Sequence, residues 1–145
     1  MKEVTLHAQY CDDIIDHANN GKYSAIGVYT GAIVADDLPA ILPKLCINLS
    51  FSIPTERQDV LADGGLHFET MKNDELIALA VMNIATPKIT ESGQSIADNR
   101  IHGILRQIIN GLPLQENSII KTVMKVDGIT VAESEPLHII RLPRP

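Results

Sequence analysis

Aromatic residues are scarce in this chain, which has two Phe, three Tyr and no Trp. A surface that stacks sugars or bases needs several exposed rings, so such ligands have little support. Cysteine is also scarce, with Cys11 and Cys46 alone. Two cysteines are too few for a disulfide framework, and the N-terminal residues lack the apolar segment of a signal peptide. We therefore expect a cytoplasmic protein with reduced thiols.

Long hydrophobic runs and familiar catalytic motifs are missing as well. The longest apolar runs, such as Leu76 to Met82, fall far short of the roughly 20 residues that a membrane-spanning helix needs. There is no Gly-x-Ser-x-Gly, no Walker-type loop and no Gly-x-Gly-x-x-Gly. We expect no membrane association and no cofactor, and hydrolase and nucleotide-binding functions lose their usual support.

Positive charge is in deficit, with 12 Lys and Arg against 18 Asp and Glu and a net charge of -6. Residues 1–75 carry twelve acids and five bases, whereas residues 76–145 carry six acids and seven bases. A duplex-binding surface needs clustered bases, and here they are scattered singly, so we expect no direct nucleic-acid partner. The acidic first half either faces a basic protein surface or keeps the protein soluble.

The chain does contain a distinctive opening stretch from Tyr10 to Gly31. Asn19-Asn20-Gly21 is a turn signal between an alternating segment that begins at Val4 and a β-prone segment from Tyr23 to Thr30. Gly27 and Gly31 indicate a bulge or a close backbone approach. The pattern predicts the first hairpin of an antiparallel sheet.

Alternation continues along the chain. Residues 45–53 give the clearest strand, whereas Pro39 and Pro43 predict a connection before it and confine any strand there to a sheet edge. A hairpin is expected around Lys72-Asn73-Asp74, with a second arm buried on both faces. Thr86 to Asn99 lacks periodicity and predicts a loop.

Ile101 to Leu112 fits two structures. Its apolar residues match a helical stripe that ends at Gly111, but the following segments read as strands around an Asp127-Gly128 hairpin turn. We favour a strand. The whole pattern predicts one domain, residues 1–145, that is all-β: a two-sheet antiparallel β-sandwich, immunoglobulin-like in architecture, with eight or nine short strands.

The carboxylates of the opening stretch are the candidate binding residues. They are Asp12, Asp13, Asp16, Asp36 and Asp37. With His17 they offer hard oxygen ligands to a divalent ion, but EF-hand spacing is absent, and solvated turn carboxylates are the simpler interpretation. We assign them to a protein-binding surface and expect no metal.

Thiols, imidazoles and phenols add weaker candidates. Cys11 stands beside two carboxylates, which raise a thiol's pKa and disfavour a nucleophile, so Cys11 and Cys46 are expected to be packed thiols. The histidines occupy separate predicted elements, without the spacing of a metal motif. One or two of the clustered tyrosines are expected in the core, and an exposed pair would be an interaction anchor. These residues are His7, His17, His67, His102, His138, Tyr10, Tyr23 and Tyr29.

Four segments carry a resemblance to a known family. They are C-D-D-I at 11–14, N-G-K at 20–22, G-V-Y-T-G at 27–31 and L-P-A-I-L-P-K-L at 38–45. The chain resembles a family of small bacterial proteins classed only as a domain of unknown function, and the likeness is strongest over residues 8–46. The resemblance implies an all-β fold and brings no catalytic residue, cofactor or substrate.

Three functions remain open from the sequence. The first is a non-enzymatic protein-binding module, encoded by a phage or mobile element, that acts through the acidic hairpin and adjacent loops. The second is a β-sandwich that binds a metal ion or a small molecule, and the third is an enzyme of unrecognised type. A symmetric homodimer is a separate expectation, because a sandwich has open edge strands.

Overall fold

The computed structural model describes residues 3–17, 22–57, 65–83, 95–97 and 99–142. Their regular secondary structure is entirely β, and they contain no helix that is long and apolar enough to cross a membrane. The strands are β1 Thr5–His17, β2 Lys22–Val28, β3 Ala32–Ala35, β4 Ala40–Pro54, β5 Leu66–Lys72, β6 Glu75–Met82, β7 Ser95–Ala97, β8 Arg100–Leu114, β9 Ile119–Val126, β10 Ile129–Glu133 and β11 Leu137–Arg141.

These strands form two sheets. The first sheet has the order β2-β1-β4-β8-β7, and the second has the order β3-β11-β9-β5-β6, with β10 paired to β9. The predicted all-β sandwich is confirmed, although the described residues form eleven strands rather than eight or nine. All neighbours are antiparallel except β3 and β11, which pair in parallel.

The alternation predicted for residues 45–53 is the centre of the core. Leu45, Ile47, Leu49, Phe51 and Ile53 all point inward from β4 and are buried. The Phe51 ring meets Phe68 of the second sheet with 5.4 Å between ring centroids. Apolar side chains from the two inner faces therefore form the core between the sheets.

Strand β8 settles the ambiguity of residues 101–112 in favour of a strand. Ile104 and Ile108 face outward, while Ile109 and Leu112 are buried. The pairing of β4 with β8 skips Pro43 and Gly111, and there the core-facing residues change from odd to even numbers. Gly111 has a φ of 65°, which glycine adopts without strain. The exposed Ile104 and Ile108, together with the change of the core-facing positions at Gly111, produce the apolar spacing that resembles one face of a helix.

Two expectations about the strands are wrong. Pro43 lies inside β4, which is a central strand. Proline has no N–H to donate, but the pairing of β4 with β8 is interrupted at this residue alone and continues before and after it. The second arm after Asn73 is β6, which is an edge strand and exposes Leu76, Leu79 and Val81, so it is not buried on both faces. The Asn19-Asn20-Gly21 turn lies outside the described residues, as does most of Thr86 to Asn99, of which 95–97 form β7.

Candidate binding surface on the first hairpin

The first hairpin leaves the first sheet at Cys11. Strand β1 pairs with β4 from Thr5 to Cys11 and with β2 from Cys11 to His17. Gly27 of β2 packs closely against Asp12 of β1. A Cβ at position 27 would lie 2.2 Å from the Asp12 carboxylate, so only glycine fits there. The predicted close approach is confirmed at Gly27, whereas a Cβ at Gly31 would meet nothing within 4 Å.

The end of the hairpin rests on the outward face of the first sheet. Arg106 of β8 pairs with Asp16 and lies over the Tyr23 ring at 4.8 Å from its centroid. Asn48 of β4 donates a hydrogen bond from Nδ2 to the Tyr23 hydroxyl at 2.8 Å. An ion pair, a cation–π contact and a hydrogen bond therefore hold the same few residues in place.

Asp13 has a partner of its own. Lys44 Nζ lies 2.8 Å from Asp13 Oδ1, which also accepts a hydrogen bond from the Ile14 N–H at 2.9 Å. The hydrogen bond from Lys44 comes first among the causes that hold the pKa of the Asp13 carboxyl below its usual value, followed by the backbone hydrogen bond. This carboxylate is ionised and partly neutralised by Lys44.

Asp12 accepts a hydrogen bond from the Tyr29 hydroxyl at 2.8 Å. Burial and this contact with a carboxylate raise the pKa of Tyr29 to about 12. The contact ties the end of the β2 segment to β1. Asp12 therefore has a structural role in addition to any role in binding.

Asp36 and Asp37 belong to a different element, the connection from β3 of the second sheet to β4 of the first, and both are exposed. Within the described ranges, no three His, Cys, Asp or Glu side chains gather in a way that could hold a metal ion. The five predicted binding residues thus divide into three on one hairpin and two in a separate connection.

Exposed apolar side chains on the hairpin were not singled out in the sequence. Ile15, Ile26 and Val28 are 46%, 47% and 44% exposed. The register opposes Asp13 to Ile26 and Cys11 to Val28, so these side chains share one side of the ribbon. The sequence signal for this row was that Ile26 and Val28 stand at alternate positions of β2, which places them on one side of the strand. We call Ile15, Ile26 and Val28 the hairpin strip.

Tyr10 and Glu135 make hydrogen bonds along the first half of β1. Tyr10 is buried, as predicted for one of the tyrosines, and its hydroxyl donates to the Glu135 carbonyl at 2.6 Å. Burial is the main cause that raises the pKa of Tyr10 to about 12. The Glu135 carboxylate accepts from the Ala8 N–H at 2.8 Å and meets His7 Nδ1 at 2.6 Å. Burial opposes ionisation of Glu135, but these hydrogen bonds outweigh it and lower its pKa.

The histidines are dispersed, as expected. His17 meets Ser24 at 2.7 Å, whereas His67 and His138 lie on strands of the second sheet. His7 and His102 both line a groove of ≈ 500 Å³ on the outward face of the first sheet, together with Ser50 and Ser52. His7 and His102 therefore share a surface feature, although they lie on different strands.

A smaller cavity of ≈ 220 Å³ lies beside the groove and shares His7 and Ser50 with it. Gln9, Tyr23 and Asn48 complete its polar lining, with Ala8. Asn48 is 5% exposed, and its Oδ1 has no hydrogen-bond partner. The groove and the cavity together form a depression of mixed polarity on the outward face next to the hairpin.

Comparisons with known proteins add no relative. No protein-family model matches the chain, and a search of curated proteins finds no match. The resemblance to a family of unknown function stays a prediction.

Proposed function

We propose that this chain is a non-enzymatic protein-binding module that holds its partner on the first hairpin and the adjacent loops. The observation that carries the proposal is the hairpin strip, an exposed apolar row that shares its side of the ribbon with the carboxylate of Asp13. Binding interfaces commonly combine an apolar centre with a polar rim. The contacts of Arg106 and Asn48 with the other side of the hairpin support preorganisation, which lowers the entropic cost of binding.

Charge supports a partner with basic residues. The Asp16 side chain is 69% exposed although it pairs with Arg106, and Asp36 and Asp37 are exposed in the β3–β4 connection. Rim carboxylates of this kind act mainly on association rate and selectivity, so binding should weaken as salt rises.

The test is affinity capture with a matched pair of variants. Ile26→Ser removes an apolar residue of the hairpin strip, whereas Ile129→Ser changes a similarly exposed isoleucine on β10. We expect quantitative mass spectrometry to find partners retained by wild type and Ile129→Ser but lost with Ile26→Ser. A purified partner should then bind Ile26→Ser at least about tenfold more weakly, as loss of an interface anchor implies.

Capture that is unchanged by Ile26→Ser in a folded protein would contradict the proposal. A second pair of variants separates the acids: Asp16→Asn on the hairpin and the double change Asp36→Asn with Asp37→Asn. Weaker binding by the double variant alone would move the interface from the hairpin to the β3–β4 connection.

A small-molecule site is the second candidate function. It is favoured by the groove that His7 and His102 share on the outward face of the first sheet. Thermal-shift screening against nucleotides, calcium and zinc tests it, with His102→Ala as the variant that should abolish any shift. A ligand whose shift survives His102→Ala does not bind in this groove.

Self-association stays a prediction, for which β6 is an open edge strand with exposed apolar side chains. It pairs with β5 alone and exposes Leu76, Leu79 and Val81. Light scattering after gel filtration measures the mass directly, and Leu79→Lys should convert any dimer built on this edge to a monomer.

A further inference from the structure

The two cysteines occupy directly opposite positions on neighbouring strands. Cys11 of β1 pairs with Cys46 of β4 at the point where the first hairpin leaves the sheet. Both are free thiols, and they are 0% and 1% exposed. This arrangement is independent of the proposed binding function.

Backbone contacts fix the spacing of the pair. The Ala8 N–H is directed to Glu135, and the Tyr10 carbonyl accepts from the Tyr29 N–H, so both residues direct their backbone groups away from β4. Successive residues of a strand alternate in this respect, so Cys11 directs its groups toward β4. Opposed residues of such a hydrogen-bonded pair have Cα atoms about 5.5 Å apart. Disulfides most often join Cα atoms about 5.5–6 Å apart.

The thiols also extend into the same gap between the strands. Cys11 Sγ donates to the Cys46 carbonyl at 3.7 Å, and Cys46 Sγ donates to the Asp12 carbonyl at 3.6 Å. Each sulfur therefore reaches across to the opposite strand. After burial, the charge of Cys46 is the next cause that raises the pKa of Cys11, in agreement with their proximity.

We propose that Cys11 and Cys46 are an oxidisable dithiol that hydrogen peroxide closes to an intramolecular cross-strand disulfide, which joins β1 to β4 at the base of the hairpin. One thiolate attacks a peroxide oxygen: an S–O bond forms, the O–O bond breaks, and hydroxide leaves. The second thiolate then attacks the sulfenic sulfur, so that an S–S bond forms and hydroxide leaves again. With the two thiol protons, the products are one disulfide and two waters.

Burial and a raised Cys11 pKa both slow the first step, because the thiolate is the reactive form. We expect oxidation of the folded protein to be slower than that of the unfolded chain and to accelerate at alkaline pH. We expect hydrogen peroxide, a small oxidant, to react with these buried thiols faster than bulky disulfide reagents do.

Peptide mapping without reduction tests the proposal. The folded protein is exposed to hydrogen peroxide in time and pH series, free thiols are alkylated, and trypsin separates the cysteines because Lys22 and Lys44 lie between them. We expect a Cys11–Cys46 cross-linked peptide in monomeric protein, with full recovery of both thiols after dithiothreitol. Cys11→Ser and Cys46→Ser should each stop at a sulfenic acid that dimedone traps.

Two results would overturn the inference. One is that both thiols stay free in the folded protein at alkaline pH, even after exposures many times longer than those that fully oxidise the urea-unfolded chain. The other is that the only disulfides join separate chains. Because the wild-type protein alone distinguishes these results, the test stands even if a serine variant fails to fold.

Discussion

The centre of the first sheet and the hairpin at its edge are held by different interactions. Strands β4 and β8 pair along almost their whole length, and β4 turns a row of buried apolar side chains toward the second sheet. The hairpin depends instead on the ion pairs of Lys44 with Asp13 near its base and of Arg106 with Asp16 near its end. Apolar burial contributes far more to stability than exposed ion pairs, so the two regions should respond differently to substitution, pH and salt.

The largest effect is expected at the centre. Phe51→Ala removes a ring that packs on Phe68 and also covers Gly103, where a Cβ would lie 2.2 Å from the ring. We expect the free energy of unfolding to fall by about 3–5 kcal/mol, as for other buried aromatic truncations. Urea unfolding measures the change, and Ile129→Ala is the exposed control, with an expected loss within about 0.5 kcal/mol.

The same region offers a compensating pair. Gly103→Ala should destabilise wild type strongly, because its Cβ clashes with the Phe51 ring, but should cost little once Phe51 is alanine. Additive effects of the two changes would show that the ring and Gly103 are not coupled. Such additivity would weaken the account of the centre as a close-packed core.

Sequence patterns predicted the centre better than the hairpin because of how far apart the interacting residues lie. Alternation from Leu45 to Ile53 is a local property, and it suffices to place one face of β4 in a core. The switch at Gly111 blurred that signal in β8, since it depends on the pairing of β8 with β4. Local patterns indicate which face of a strand is buried, but not where the core-facing residues change from odd to even positions.

The sequence predicted which acidic residues belong to the candidate site, but not their contacts. Sequence placed Asp12, Asp13 and Asp16 on a hairpin, but their partners were beyond reach, because Arg106 lies 90 residues from Asp16 and Lys44 lies 31 residues from Asp13. A charge count cannot assign such long-range pairs. It also cannot reveal that the hairpin folds onto its own sheet and leaves the hairpin strip exposed.

Stability at alkaline pH should report on Tyr10, which lies in the buried part of β1. The pKa of Tyr10 is raised from 10.0 to about 12 in the folded protein, mainly by burial. Between these values the unfolded chain loses a proton that the folded state keeps, so stability is full below pH 10 and falls as the pH rises to 12. We expect Tyr10 to contribute about 2 kcal/mol to this loss.

Urea unfolding from neutral pH to pH 12 measures that slope. Tyr29 and Cys11 have raised pKa values too and act in the same direction, so Tyr10→Phe should flatten the curve without abolishing it. At neutral pH the same variant is less stable, because the Glu135 carbonyl loses its 2.6 Å hydrogen bond. Equal alkaline slopes for wild type and Tyr10→Phe would contradict the assignment to Tyr10.

A smaller effect is expected where the hairpin meets the sheet. Arg106→Ala removes the ion pair with Asp16 and the cation–π contact with Tyr23, with an expected loss of about 1 kcal/mol. Hydrogen exchange should accelerate in β1 and β2 beyond Cys11 and stay unchanged in β4. Lys121→Ala, which loses only its 3.5 Å pair with Glu133, is the control and should leave exchange in the hairpin unchanged.

The smallest effect is expected at Asp13, whose pair with Lys44 is exposed on both sides. Because the folded state lowers the pKa of Asp13, its stabilisation is present above the ordinary value of 3.8 and is lost as the pH falls through the folded value. Asp13→Asn should therefore slightly flatten the acid side of the stability curve, and high salt should reduce the difference from wild type. Lys44→Met should have the same effect, and the double variant should add nothing further, because both changes remove one interaction. If the two changes are additive instead, each residue stabilises the fold through other contacts, and the hairpin resembles the apolar centre more than its charged pairs suggest.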